Sequence, residues 1–185
     1  MKRILIYGEK HIEYSGLCSI FMLFPPLQGE ASKLLVETLS DIGNEEKLLK
    51  KYKPSSLVVE GSEKKGMEYD ALREELLTKS AKSQGINVSF MGVDSYFVDY
   101  ELKDCYRRIL KKPFFEEFTR KWIHEESERF LINLYEQQMA QSVLTEYLFS
   151  KGDTLVICGE THTSEDSLFI NLIKKKVKDV FLINQ

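Results

Sequence analysis

The sequence predicts an α/β fold: a mostly parallel sheet of about five strands, with helices on both faces and a helical insertion or cap. Three observations carry this expectation. Short apolar runs rich in Val, Ile and Leu stop at a glycine or a carboxylate, as buried strands do. Segments with helical periodicity separate them, in the order β-α-α-β-α-β-α-α-β-α-β. Neither a flexible linker nor a low-complexity segment interrupts the pattern, so residues 1–185 read as one domain.

Residues 3–7 are the first expected strand. Residues 8–29 form a connection broken by Tyr14-Ser15-Gly16 and Pro25-Pro26. Residues 30–42 place Leu34, Leu35, Thr38, Leu39 and Ile42 on one helical face, and Gly43-Asn44 is expected to stop that helix. A short helix over 45–52 ends before Pro54. Leu57-Val58-Val59 is the second strand, closed by Glu60-Gly61. Residues 67–84 read as a helix with Gly85 as its stop, and Val88-Ser89-Phe90-Met91 as the third strand, ended by Gly92-Val93-Asp94.

The pattern over 99–149 is helical and split by Pro113. Phe115, Phe118 and Trp122 begin an apolar stripe that Phe130, Leu134 and Leu148 loosely continue. This block exceeds what one crossover needs, hence the expected cap. A strand at 154–158 follows. Ser164 is expected to cap the next helix, with Glu165 and Asp166 in its first turn and Lys174-Lys175-Lys176 in its last. Val180-Phe181-Leu182-Ile183 is the final strand.

The formal net charge is -3, and no basic stripe is interleaved with aromatics, so a nucleic-acid partner is not expected. The longest apolar stretch, Leu17 to Pro26, falls far below the ~20 residues of a membrane span. The apolar start is too short for a signal peptide. Cys18, Cys105 and Cys158 are unpaired in spacing, which fits a reducing compartment. A cytoplasmic protein is expected, with Cys158 as a small buried hydrophobe.

Ligands of an open parallel sheet bind outside the carboxyl ends of its strands. Past the first strand come Glu9 and His11, past the second Glu60, past the third Asp94, and past the fourth Glu160 and His162. Gly8-Glu9-Lys10-His11 and Gly159-Glu160-Thr161-His162 are the same strand-Gly-Glu-x-His unit, once near each end of the chain. The third histidine, His124, lies in the charged run His124-Glu125-Glu126 and reads as a surface residue. Singly, each group has a local explanation, a carboxylate after a strand being a common helix cap. Together they predict a shared site for His11 and His162.

Three uses are open to such a site. Imidazoles and carboxylates, with Glu60 as third corner, can hold Zn²⁺, Mn²⁺ or Co²⁺ and keep a position for water. Alternatively, one histidine oriented by a glutamate can serve as general base. A third possibility is a pair that binds a ligand, haem included, without catalysis. No phosphate-binding loop and no GxSxG elbow is present.

At these residues the chain resembles a superfamily that includes the erythromycin esterases, the ChaN haem-binding lipoproteins and the TraB and TIKI proteins. Their first strand ends in GxxH, a later one in glutamate, and a late strand in a second GxxH. Here these are Gly8-Glu9-Lys10-His11, Leu57-Val58-Val59-Glu60 and Gly159-Glu160-Thr161-His162. The helix before the late strand often carries Arg-Asp-x-x-Met-Ala in those families. Tyr135-Glu136-Gln137-Gln138-Met139-Ala140 matches the acid and the Met-Ala but has tyrosine for the arginine.

The resemblance implies a small metal-dependent hydrolase of ester or peptide bonds, or a haem- or ligand-binding protein of the same fold. On the first reading His11, Glu60 and His162 hold the metal, Glu9 or Glu160 is the general base or orienting group, and Asp94 supports them. The expected partner is a small-molecule or peptide substrate. The 99–149 helices could also join subunits into a homo-oligomer.

Overall fold

A computed structural model describes residues 2–9, 40, 42–60, 68–91 and 117–183 of the chain. Five strands form one all-parallel sheet: β1 (Ile4–Glu9), β2 (Ser56–Glu60), β3 (Asn87–Met91), β4 (Thr154–Gly159) and β5 (Val180–Ile183). Their order is β3-β2-β4-β1-β5. The described α-helices are α1 (42–52), α2 (Glu68–Ser83), α3 (Glu117–Phe149) and α4 (Leu168–Lys176). Gly8 and Glu9, expected to open a connection, instead end β1; the rest of that connection (10–29), most of the helix expected over 30–42, Pro113 and the start of the 99–149 block lie outside the described residues.

Alternation along the strands builds two cores. Ile4, Ile6, Val58, Val156 and Cys158 face one side, where Met139, Ala140 and Val143 of α3 and Phe169, Ile170 and Ile173 of α4 cover them. Leu5, Tyr7, Leu57, Val59, Leu155 and Ile157 face the other, under Leu49 of α1 and Leu77 and Ala81 of α2. Both faces of the central strands are thus buried, which is why these segments read as continuous apolar runs. No helix among the described residues is long and apolar enough to cross a membrane.

Three local expectations are corrected. Gly43-Asn44 does not stop a helix, because α1 runs through both residues. Ile42, Glu45 and Leu49 are buried at helical spacing, and this packing outweighs the ~1 kcal/mol that glycine costs in a helix. The stop comes at Lys53, whose φ of 44° breaks the helix just ahead of Pro54. The stripe expected to include Leu148 is also displaced. Leu148 is 72% exposed, and the covered face of α3 runs through Tyr135, Met139, Val143 and Tyr147.

Finally, Ser167 rather than Ser164 caps α4, its Oγ accepting from Ile170 N at 3.1 Å. Ser164 instead closes a 3₁₀ turn, Glu160–Thr163, that follows β4. Glu165 and Asp166 therefore precede the helix, while Lys174, Lys175 and Lys176 do occupy its last turn. Gly85 ends α2 as expected, with φ 73°. Ile86 N donates to Ala81 O and Gly85 N to Lys82 O, at 3.1 and 3.0 Å, a Schellman pair.

The placement of α3 matters most for the site. Its C-terminal turn is held at the amino edge of the sheet, where Lys2 Nζ donates to the carbonyls of Tyr147, Leu148 and Ser150. From Tyr147 back to Tyr135 is twelve residues, about 18 Å of helix at 1.5 Å each. A six-residue strand covers about the same length. Antiparallel to the strands, α3 therefore brings Tyr135 and Glu136 to their carboxyl edge.

Candidate functional site

Register brings the strand ends together. Glu9 pairs with Gly159 across β1 and β4, and Glu60 lies opposite Met91 across β2 and β3. Glu9 is 6% exposed at this edge. Past Gly159 the chain turns into the 3₁₀ segment that carries His162. Gly8 lies under that turn. A Cβ on Gly8 would fall 2.6 Å from Thr163 Oγ1 and 3.2 Å from Glu160 Cα. Gly8 therefore packs directly against the 3₁₀ turn at Glu160 and Thr163, and glycine at position 8 permits it.

His162 is the centre of the arrangement. Its Nδ1 stands 2.9 Å from Glu136 Oε1, and its Nε2 is 3.5 Å from Glu60 Oε1. Glu136 Oε2 accepts from Phe169 N at 3.2 Å, in the first turn of α4. Thus α3 supplies the carboxylate at the helix N-terminus that Glu165 and Asp166 were expected to provide. Ser167 Oγ donates to His162 O at 2.8 Å while capping α4. Side chain and main chain of His162 are both tied to the start of one helix. Ser167→Ala is expected to cost about 1 kcal/mol, the usual value of an N-cap, measurable by urea denaturation; no loss would show that the cap is dispensable.

Glu60 is held on both oxygens. Oε2 accepts from Gly159 N at 2.7 Å, and Oε1 accepts from Tyr135 Oη at 2.7 Å. The Tyr135 and His162 rings lie 5.6 Å apart, tilted by 47°.

These contacts set the ionisation of the site. Burial opposes charge on His162, but the close carboxylates Glu60, 3.5 Å from Nε2, and Glu136, hydrogen-bonded at Nδ1, outweigh it and raise the imidazole above its ordinary value. Burial and then the charge of Glu60 push the Tyr135 phenol far up, so it remains a neutral donor. Cys158 is fully buried; burial first, then Glu60, Glu9 and Glu136, raise its thiol well above the usual range. It behaves as the small core residue expected and not as a nucleophile.

Of the residues expected at the site, His162, Glu60 and Glu9 come to the same edge. Glu160 is exposed on the 3₁₀ turn. His11 and Asp94 lie outside the described residues, and so does the His11–His162 distance. His124 falls within α3. Tyr135 and Glu136 were not among the expected ligands or catalytic groups, although both stand in the Tyr135–Ala140 segment that carried the resemblance. Nothing in local patterning marks them, because Tyr135 and Glu136 meet partners 75 and 26 positions away along the chain.

The donor set bears on metal binding. Two ligand atoms on a tetrahedral ion, each bonded at 2.0–2.2 Å, stand about 3.4 Å apart. His162 Nε2 and Glu60 Oε1 are 3.5 Å apart, a longer separation than a good hydrogen bond. Glu136 on Nδ1 is the carboxylate–histidine pairing that orients a metal-ligating imidazole. The described residues supply two such positions; no group of three His, Cys, Asp or Glu among them is arranged to hold an ion.

Comparison with family models, with curated proteins and with solved structures finds no match to this chain.

Proposed function

We propose that this chain is a small cytoplasmic metal-dependent hydrolase of ester or peptide bonds, distantly akin to the paired-GxxH superfamily that it resembles. One observation carries the reading: His162 Nδ1 is bound to Glu136 at 2.9 Å while Nε2 faces Glu60 Oε1 across 3.5 Å. His162 and Glu60 would hold Mn²⁺, Co²⁺ or Zn²⁺, with His11 as third ligand. A bound ion of this kind lowers the pKa of water and supplies hydroxide near neutral pH.

The protein groups divide the remaining work. Glu136 fixes the tautomer in which Nδ1 carries the proton and Nε2 offers its lone pair. Gly159 N–H and Tyr135 hold Glu60. Glu9, buried at the end of β1, would be the general base or an orienting group, although alternation sends its side chain to the face of Leu5 and Tyr7, opposite that of Val58 and Glu60. Glu160, being exposed, is left as an outer group, and Asp94 as a support.

The test is calorimetric titration of purified protein with Mn²⁺, Co²⁺ or Zn²⁺, alongside an ester and peptide library. One ion per chain is expected, with binding and turnover both lost in His11→Ala and in His162→Ala. Absence of binding, or binding indifferent to both substitutions, would overturn the proposal.

A second reading is a haem- or ligand-binding protein without catalysis. Tyr135 favours it: its phenol is neutral and spent on Glu60, so it supplies no fixed cation for an anionic transition state. A haem absorbance shift that His162→Ala removes, with no library turnover, would select this reading.

A further inference from the structure

Helices that join parallel strands run back across the sheet, so α3 and α4 both end at its amino edge, opposite the candidate site. Backbone hydrogen bonds mark that level: Ile4 N donates to Asp179 O, Thr154 N to Arg3 O and Ser55 N to Asp153 O, each at 2.9 Å. Leu148 and Phe149, the last residues of α3, are 72% and 83% exposed there. Neither side chain belongs to either core. Lysines stand around this tip. Lys174, Lys175 and Lys176 end α4, Lys178 follows them, and Lys151 follows α3; all are exposed. Lys176 and Leu148 line one cavity of about 230 Å³ between the two helices, with Ala140, Leu144 and Leu172 as further walls. Acids of the same edge do not balance these cations. Asp153 is spent on Arg3 at 2.6 Å, and Glu146 and Asp179 are half-buried. This basic corner belongs to a chain whose formal net charge is -3.

We propose that the α3–α4 corner of the amino edge is a docking surface for an anionic lipid bilayer: Leu148 and Phe149 enter the headgroup boundary, and the lysines face lipid phosphates and carboxylates. Apolar insertion and basic charge are the two signals that peripheral membrane binding combines, each being weak alone. Other occupants fit less of this surface. A second copy meeting it across a twofold axis would set its own lysines against these. A nucleic acid would meet the lysines with its phosphates but leave Leu148 and the apolar walls of the cavity uncovered. The surface does not depend on the metal-dependent reading, whose residues lie at the opposite edge.

The test is sedimentation of the full chain with vesicles at low and at high salt. Binding is expected to vesicles of phosphatidylserine and phosphatidylcholine and not to phosphatidylcholine alone, and it should weaken as salt screens the lysines. Lys174→Gln, Lys175→Gln and Lys176→Gln together should weaken it about a hundredfold, each lysine near the surface being worth about fivefold. Leu148→Ser with Phe149→Ser should also weaken it about a hundredfold, about tenfold for each apolar side chain left in water. The added fluorescence of Phe149→Trp should move to shorter wavelength when the mixed vesicles are present.

All of these substitutions fall on exposed side chains, so the variants should unfold near the parent's urea midpoint. Should the lysine variant fail to fold, the salt dependence of the wild type tests the same charges. No sedimentation with the mixed vesicles, or equal sedimentation with phosphatidylcholine alone, overturns the proposal. Binding that survives Leu148→Ser with Phe149→Ser unchanged also overturns it, and assigns the lysines to a soluble polyanion instead. Neither result touches the hydrolase reading, which stands or falls on metal binding at the other edge.

Discussion

Glu136→Ala is expected to lower the stability of the metal-free protein by about 3 kcal/mol, the usual scale for removing one partner of a buried charge pair. The carboxylate is 8% exposed and serves two donors at once, His162 Nδ1 and Phe169 N. Alanine leaves both without their acceptor, and a buried unpaired donor costs about 1–3 kcal/mol. Glu136→Gln keeps one amide oxygen for one of those donors and is expected to cost about half as much. Urea denaturation of the three proteins measures the ranking. An alanine variant as stable as the parent would mean that neither His162 nor α4 relies on this side chain.

The same pair makes the effect depend on pH. His162 is raised in the folded state, so its charged form contributes stability that is fully present below the ordinary histidine value of about 6.5. That contribution is lost as pH rises through the raised folded-state value. The gap between parent and Glu136→Gln should therefore be widest on the acid side of 6.5 and narrow toward alkaline pH. On the proposed metal-dependent reading a divalent cation at Nε2 would displace a proton, so metal affinity would run the other way, strengthening as pH rises.

The second large effect is expected at Gly8. An alanine there places its Cβ 2.6 Å from Thr163 Oγ1, 2.8 Å from Thr163 Cγ2 and 3.2 Å from Glu160 Cα. Thr163 cannot swing clear cheaply. Its hydroxyl is bound to Glu160 O at 2.8 Å, and its methyl already meets the same point. The 3₁₀ turn must move, and His162 moves with it. Overpacking of this kind costs about 1–3 kcal/mol, whereas Gly→Ala in an unobstructed strand would be neutral or favourable.

Thr163→Ala removes both offending atoms and leaves only the 3.2 Å contact. Gly8→Ala should therefore cost less in that background, with a coupling of about 1 kcal/mol in a double-mutant cycle. Equal costs in the two backgrounds would sink the steric account.

Much of the architecture was legible because burial writes itself into local pattern. The runs Ile4–Tyr7, Leu57–Val59 and Leu155–Cys158 are apolar on both faces, as central parallel strands must be. Gly85 was readable as a stop because only a residue at ease with positive φ closes a helix that way. Lys53, also at positive φ, was not readable, since lysine carries no such signature. Ser164 and Ser167 looked alike, and the choice fell to the 3₁₀ turn, which uses Ser164 as its end.

The site divides along the same line. Sequence alone determined that Glu9, Glu60 and His162 follow strands, and a parallel sheet puts every such position on one edge. Only the tertiary structure decided which groups meet. The length of α3 between its anchor at Lys2 and its first contact with Glu60 delivers Tyr135 and Glu136 to that edge. Closeness of Gly8 to Thr163 sets where the turn, and with it His162, comes to rest. Hydrogen bonds of this kind are decided by packing distances between elements far apart in the chain, and no local spacing records them.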